Sequence, residues 1–376
     1  MQKLSKKNSN ISGIVLLAKQ PGITSFSSLF AVKKALETSK VGHTGTLDSF
    51  AQGLLIVCVG NMTRLASHIT AFDKTYEAVI QFGQETDTLD PTGNVIETAE
   101  LPSLDELKKS IEKFTGPQLQ APPSYSALWV DGTRASDLMR QGVQVELDKR
   151  EINVFSSELL EIKTEYGKNI VFNSGTSSEN EISSQREVPL NTRIQFARVK
   201  FHVSKGTYIR SLARDIALDC KSRGHLAGLL RTGIGSFKLE NAAGFSLLKQ
   251  FTIDDVIENL SKIKKENNNS ENENNFKSEK GKKLDDETFH FLMTEIKNKI
   301  TDVTKEVASE CGFETAVIKD VYLPDFQNGK KLYSKMFVTE PGKEGKYAVF
   351  SERQKFSGVF SFEKRRFKYE YVISEK

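Results

Sequence analysis

Ala197-Arg-Val-Lys-Phe-His-Val-Ser-Lys-Gly-Thr-Tyr-Ile-Arg-Ser-Leu-Ala-Arg-Asp-Ile216 changes its period halfway along. As far as Val203, the apolar residues Ala197, Val199, Phe201 and Val203 alternate with Lys200, His202 and Ser204. Side chains of a strand point alternately to its two faces, so this half reads as a strand with one packed face and one basic, polar face. Beyond Lys205-Gly206-Thr207, the residues Ile209, Leu212, Ala213 and Ile216 recur at helical spacing, which predicts a helix over 208–220. A strand that runs through a glycine turn directly into a helix is the unit from which the rest can be read.

Working outward, Ile14–Ala18 is an apolar run bounded by Gly13 and Pro21-Gly22, a buried strand followed by a turn. Thr24 or Ser25 can cap the helix that follows, on which Leu29, Val32 and Leu36 share a face. Tyr76, Ala78, Ile80 and Phe82 alternate as a second strand with one packed face. Ser103-Leu-Asp-Glu106 is a capping box, and Leu104, Leu107, Ile111 and Phe114 form one helical stripe after it. Strands and helices alternate without a regular βα repeat. The expected fold class is therefore α+β, built around a mixed, mainly antiparallel sheet.

Two tracts differ in composition. Residues 165–190 are polar and rich in Gly and Ser, an insertion expected to be an exposed hairpin or loop. A linker over 259–284, rich in Asn, Lys, Glu and Ser, buries too little to offset ordering entropy and is expected to be disordered. Beyond it, Leu292, Ile296, Ile300, Val303 and Val307 predict one helix ended by Gly312. Residues 320–372 read as short strands broken at Asn328-Gly329, Pro341-Gly342, Gly345 and Gly358. The expected organisation is a catalytic domain over 1–258, the linker, and a helix plus small β-rich domain over 285–376.

The chain has 376 residues, 53 Lys+Arg against 49 Asp+Glu, and a net charge of +4, too small to announce a polyanionic partner by itself. Cys58, Cys220 and Cys311 are widely spaced, with no CxxC and no histidine pattern for zinc, and fit a reduced, cytoplasmic protein. Met1–Lys7 is polar and Ile14–Ala18 is too short for a signal core or a membrane span.

The stretch most suggestive of chemistry is Val41-Gly-His-Thr-Gly-Thr-Leu-Asp48-Ser-Phe-Ala-Gln-Gly53-Leu-Leu-Ile-Val-Cys-Val-Gly60. Its glycines let backbone approach a ligand closely. On composition alone, Asp48 reads as an N-cap for a helix over 49–55, Tyr76 as a strand aromatic facing the core, and Arg210 with Arg214 as a solvated basic helix face. His43 stands at no metal-ligand spacing from another His or Cys.

Gly42-His-Thr-Gly-Thr-Leu-Asp48 with Gly53-Leu-Leu resembles the signature of the TruB family of pseudouridine synthases. Further blocks match it in order: Gly13–Ser25, Asp73-Lys-Thr-Tyr76-Glu, Gly83–Asp90 with Gly93, Pro123-Ser-Tyr-Ser-Ala127, Ser204-Lys-Gly-Thr-Tyr208-Ile-Arg210, and His225-Leu with Leu229 and Arg231. Two positions depart from the pattern: Gln20 separates Lys19 from Pro21, and Ser49 stands where the family has proline after the aspartate. The resemblance implies isomerisation of uridine to pseudouridine at position 55 in the T-loop of tRNA, by base flipping and without a cofactor or metal. It implies Asp48 as nucleophile, at the ribose C1′, at the base C6 or through a glycal. Tyr76 is then the stacking residue and Arg210 the partner that keeps Asp48 ionised, while Asp90 shares that arginine. Lys19 and His43 join the RNA-binding set, and Tyr208 and Leu229 line the uracil pocket. The tail resembles the family's PUA-like domain, with a basic, aromatic cluster over 364–369. The expected partner is the T-stem and loop of tRNA, bound by a monomer without protein partners. Two alternatives are an RNA-binding folding factor whose binding matters more than its chemistry, and the related class that works in guide-RNA complexes.

Overall fold

The computed structural model describes residues 11–172, 188–270 and 284–373, with side chains left aside for 262–270. The central sheet runs in the order Gly13–Lys19, Gln52–Val59, Gly224–Ile234, Lys74–Phe82, Ile194–Val203, Arg150–Thr164, Asn169–Val171. All neighbours are antiparallel except one: Gln52–Val59 and Gly224–Ile234 run parallel where Gln52 meets Leu230 and Gly53 meets Arg231. This is the mixed, mainly antiparallel sheet that the sequence predicts.

The alternation in the sequence becomes a difference between faces. Tyr76, Ala78, Ile80 and Phe82, with Ala197, Val199, Phe201 and Val203, bury one face under the helices Leu104–Lys113 and Ile209–Asp219. Those helices contribute Leu107, Ile111, Leu212 and Ile216, each burial worth about 1.5–3 kcal/mol. The opposite face packs Val79, Phe196 and Ala227 against Ile253 and Val256. The capping box at Ser103 is formed in both directions, with the Glu106 N–H donating to Ser103 Oγ at 3.3 Å and the Ser103 N–H to Glu106 Oε2 at 2.9 Å.

A second sheet, Glu314–Ile318, Gly345–Ser351, Phe356–Glu363 and Arg366–Val372, is antiparallel apart from its first pair. Phe326, Phe337, Tyr347 and Phe360 fill one side. From the other, Phe350, Phe356 and Val359 join Ile14, Leu54 and Ile56 of the central sheet in one core.

Several local expectations are corrected. No helix forms over 49–55: Gln52–Val59 is a fully buried strand, because its apolar run is flanked by Gly13–Lys19 and Gly224–Ile234. The single helix through Val307 is two helices, Asp286–Lys299 and Lys305–Glu310. Between them Thr301 exchanges backbone hydrogen bonds with Ile14 at 2.8 and 3.0 Å, extending the chain where the apolar spacing alone continues a helix. Asn328-Gly329 ends the short helix Leu323–Gln327, with no strand directly on either side, and Gly358 lies inside the strand Phe356–Glu363 where a break is expected. The helix Ile253–Ser270 runs into the tract expected to be disordered, seeded by Ile253, Val256, Ile257 and Leu260 on the sheet. The rest of that tract, 271–283, and residues 173–187 of the polar insertion lie outside the described residues. Among the described residues no helix is long and apolar enough to cross a membrane.

Candidate active site

Asp48 lies in the loop between the short strand Val41–His43 and Gln52–Val59, the strand that meets Gly13–Lys19 on one side and Gly224–Ile234 on the other. Its side chain keeps 34% of its accessible area, while Arg210 beside it keeps 8%. Arg210 Nε stands 3.1 Å from Asp48 Oδ2 and Nη2 donates to Oδ1 at 3.2 Å. Its remaining donors are taken by the carbonyls of Thr88 and Tyr125, both at 3.0 Å, and Asp90 Oδ2 lies 3.5 Å from Nη1. The guanidinium is thereby aimed by three other oxygens at the Asp48 carboxylate.

The first turn of a helix carries Arg210 to this point. Tyr208 precedes the helix Ile209–Asp219, and its backbone N–H and C=O are both bound by the Gln120 side chain, at 2.8 and 3.1 Å. Asp90 is aimed in turn by three threonine donors: Thr88 Oγ1 at 2.8 Å, Thr92 Oγ1 at 2.6 Å and the Thr92 N–H at 2.9 Å. Between Thr88 and Asp90, Leu89 takes φ +59, a conformation that costs a branched residue energy and that presents the Thr88 carbonyl to Arg210.

The electrostatics are set by low solvent access. Burial pushes the Asp48 carboxyl above the usual carboxylate range and Asp90 adds to the rise, while Arg210 and Lys19 pull it back. Burial lowers Lys19 to about 7, partly offset by Asp48. Burial, with Arg231 behind it, also lowers His43, and burial raises the Tyr208 phenol. Among the described residues no group of three or more His, Cys, Asp or Glu is placed to hold a metal ion.

The sequence-derived set is largely brought together. Arg210 pairs with both Asp48 and Asp90, and Tyr76 and Leu229 share the apolar cluster with Leu47 and Ala51, the residues before and after the Asp48 turn. Lys19 is turned inward: it is 1% exposed and donates to the carbonyls of Ala51 at 2.6 Å and Ser49 at 3.2 Å, holding the loop from within where an RNA contact was expected. His43 is half-buried, and its Nδ1 has no hydrogen-bond partner among the described residues. Arg214 pairs with its neighbour Asp215 at 2.8 Å and takes no part.

Residues 33–182 match the N-terminal domain of the TruB family of pseudouridylate synthases. A tRNA pseudouridine synthase B of Treponema denticola is 41% identical over 369 residues, covering 96% of this chain and 98% of that protein. Relatives of the same description from Treponema pallidum and Borrelia garinii are 41% and 37% identical over 64% and 68% of the chain. The chain belongs to the TruB family. Its fold also resembles a solved Cbf5-Nop10-Gar1 complex, with a TM-score of 0.53 at 21% identity, covering 96% of this chain and 85% of the other.

Three residues that hold the site's backbone escape sequence reasoning. Gln120 belongs to a strand with no marked periodicity, and Ser25 reads only as a helix cap. Arg231 falls in a matched block, but nothing local shows where its side chain goes.

Proposed function

We propose that the chain converts uridine to pseudouridine at position 55 in the T-loop of tRNA, with Asp48 as nucleophile. The reaction cleaves the N-glycosidic bond, turns the uracil and joins its C5 to C1′, the C5 proton passing to solvent and N1 taking up a proton, with no net redox change. A carboxylate suffices to carry the sugar or base through that exchange. The observation that carries this reading is the two-point pairing of Arg210 with the carboxylate of a part-exposed side chain. Such pairing favours the charged form in a desolvated site and leaves one side of Asp48 open to a flipped nucleotide.

Tyr76 stacks on that base and can serve as general base toward the sugar, with Tyr208 and Leu229 closing the pocket. Asp90 orients Arg210. His43, its Nδ1 unpartnered among the described residues, packs against the displaced RNA bases. The protein acts in the cytoplasm as a monomer, on the T-stem and loop of tRNA. Family membership and the description of the Treponema denticola relative support the substrate class. The test is Asp48→Asn assayed by tritium release from tRNA labelled at uridine C5. No release, with tRNA affinity within a few-fold of wild type, is expected; wild-type release overturns the assignment.

A further inference from the structure

We propose that Arg231 is a positioning residue for the Asp48 loop, holding it so that the carboxylate meets Arg210 and the open side of the site. The inference rests on Asp48 being the nucleophile.

Arg231 is 1% exposed, among the largest fully buried side chains of the protein. On one side its backbone pairs in parallel with Gly53, where the loop ends, and on the other antiparallel with Tyr76. Its side chain then reaches back along the loop. Nε donates to the Leu54 carbonyl at 2.7 Å, Nη2 to Gly45 at 3.2 Å and Nη1 to Thr46 at 3.5 Å. One residue thus spans the loop's entry at Gly45 and Thr46, its exit at Gly53 and Leu54, and the strand of the stacking tyrosine.

Among the described residues no carboxylate forms an ion pair with this guanidinium, whereas the part-buried Arg198 bridges Glu77 and Glu161. Burying a cation without a counter-ion opposes folding, and an apolar side chain of similar volume would fill the space without that penalty. What an apolar side chain cannot do is fix three carbonyls, which the planar fork of a guanidinium can. The backbone is shaped for it: Gly45 and Gly53 take φ +133 and +115, and a methyl group on Gly53 would collide with Arg231's own backbone. A second tether works from the other side. Ser25 Oγ donates to the Leu47 carbonyl at 3.0 Å and accepts from the Leu47 N–H at 2.8 Å, one residue before Asp48. With Lys19 on Ser49 and Ala51, the backbone is held on both sides of the carboxylate.

A reacting group misplaced by about 1 Å costs on the order of 100-fold in rate, so loss of the tether is read in kcat more than in affinity. The experiment compares Arg231→Lys, Arg231→Met, Ser25→Ala and Asp48→Asn by single-turnover kcat, tRNA affinity and melting temperature. Arg231→Lys keeps the charge and loses the fork. It is expected to bind tRNA within about 3-fold and to lose about 100-fold in kcat, with Arg231→Met lower still and Ser25→Ala down about 10-fold. A kcat for Arg231→Lys within about 3-fold of wild type overturns the proposal. So does a deficit that vanishes on cooling well below the variant's melting temperature, or a loss confined to affinity. Should the Arg231 variants not fold, Ser25→Ala decides, and a wild-type kcat there overturns the proposal. An active Asp48→Asn removes the nucleophile reading itself. An inactive Asp48→Asn beside wild-type rates for Arg231→Lys and Ser25→Ala removes the tether alone.

Discussion

Arg210 grips Asp48 with two nitrogens, Nε 3.1 Å from Oδ2 and Nη2 3.2 Å from Oδ1, across 162 residues of chain. A lysine in its place keeps the charge but can make only a single-point contact and cannot also serve Thr88, Tyr125 and Asp90. Arg210→Lys is expected to lower kcat about 100-fold while leaving tRNA affinity within a few-fold. Steady-state kinetics with unmodified tRNA check this, and a change confined to KM would contradict it.

The pH profile follows from the raised Asp48 carboxyl. With Asp48 as the proposed nucleophile the ionised group is the reactive one, so activity is expected to fall as pH drops through a value above the ~3.9 of an exposed aspartate. Asp90 contributes to the rise, so Asp90→Asn moves this acid limb to lower pH. It also lowers the plateau, because Arg210 loses one of its orienting oxygens. Single-turnover rates against pH test both changes, and an acid limb that stays in place or moves upward would refute the assignment.

Lys19 makes a separate prediction for stability. Its folded value of about 7 is below the ordinary lysine value of 10.5, so between the two the unfolded chain binds more protons and stability from this group rises with pH. Below about 7 the cost of the buried charge is fully present. Lys19→Met should flatten this part of the stability curve, measured by urea unfolding from neutral to alkaline pH, and an unchanged slope would count against it.

Gly53→Ala tests the close approach of two strands. At φ +115, with Arg231's backbone where the methyl would sit, the variant should lose about 2 kcal/mol of stability or more. Chemical denaturation measures this. A loss below a few tenths of a kcal/mol would mean that the strands separate easily there.

Ser103→Ala provides a contrast remote from the chemistry. Losing the capping hydroxyl should cost about 1 kcal/mol and lower the melting temperature, with kcat unchanged. A fall in kcat would tie the Leu104–Lys113 helix to the site.

Features decided within a few residues were legible beforehand. The Ser103 capping box, the Thr24 cap and the alternation of Tyr76 to Phe82 depend on neighbours in sequence, and all are present. The break at Ile300–Thr304 was not legible, because the bonds that end the helix there belong to Ile14, 287 residues away. Gln52–Val59 could be taken for a helix for a related reason, since an apolar run that short acquires its conformation from the strands on either side.

The residue order by itself determined which segments bury one face, and a resemblance spread over several blocks singled out Asp48, Tyr76 and Arg210. It could not say that Lys19 faces inward, that Gln120 holds the backbone ahead of Arg210, or that Arg231 ties both ends of one loop. Periodicity reports how a side chain stands relative to its own strand or helix. The direction in which a long cationic side chain donates depends on which carbonyls the fold leaves unpaired beside it, and that is settled only when distant strands pack together.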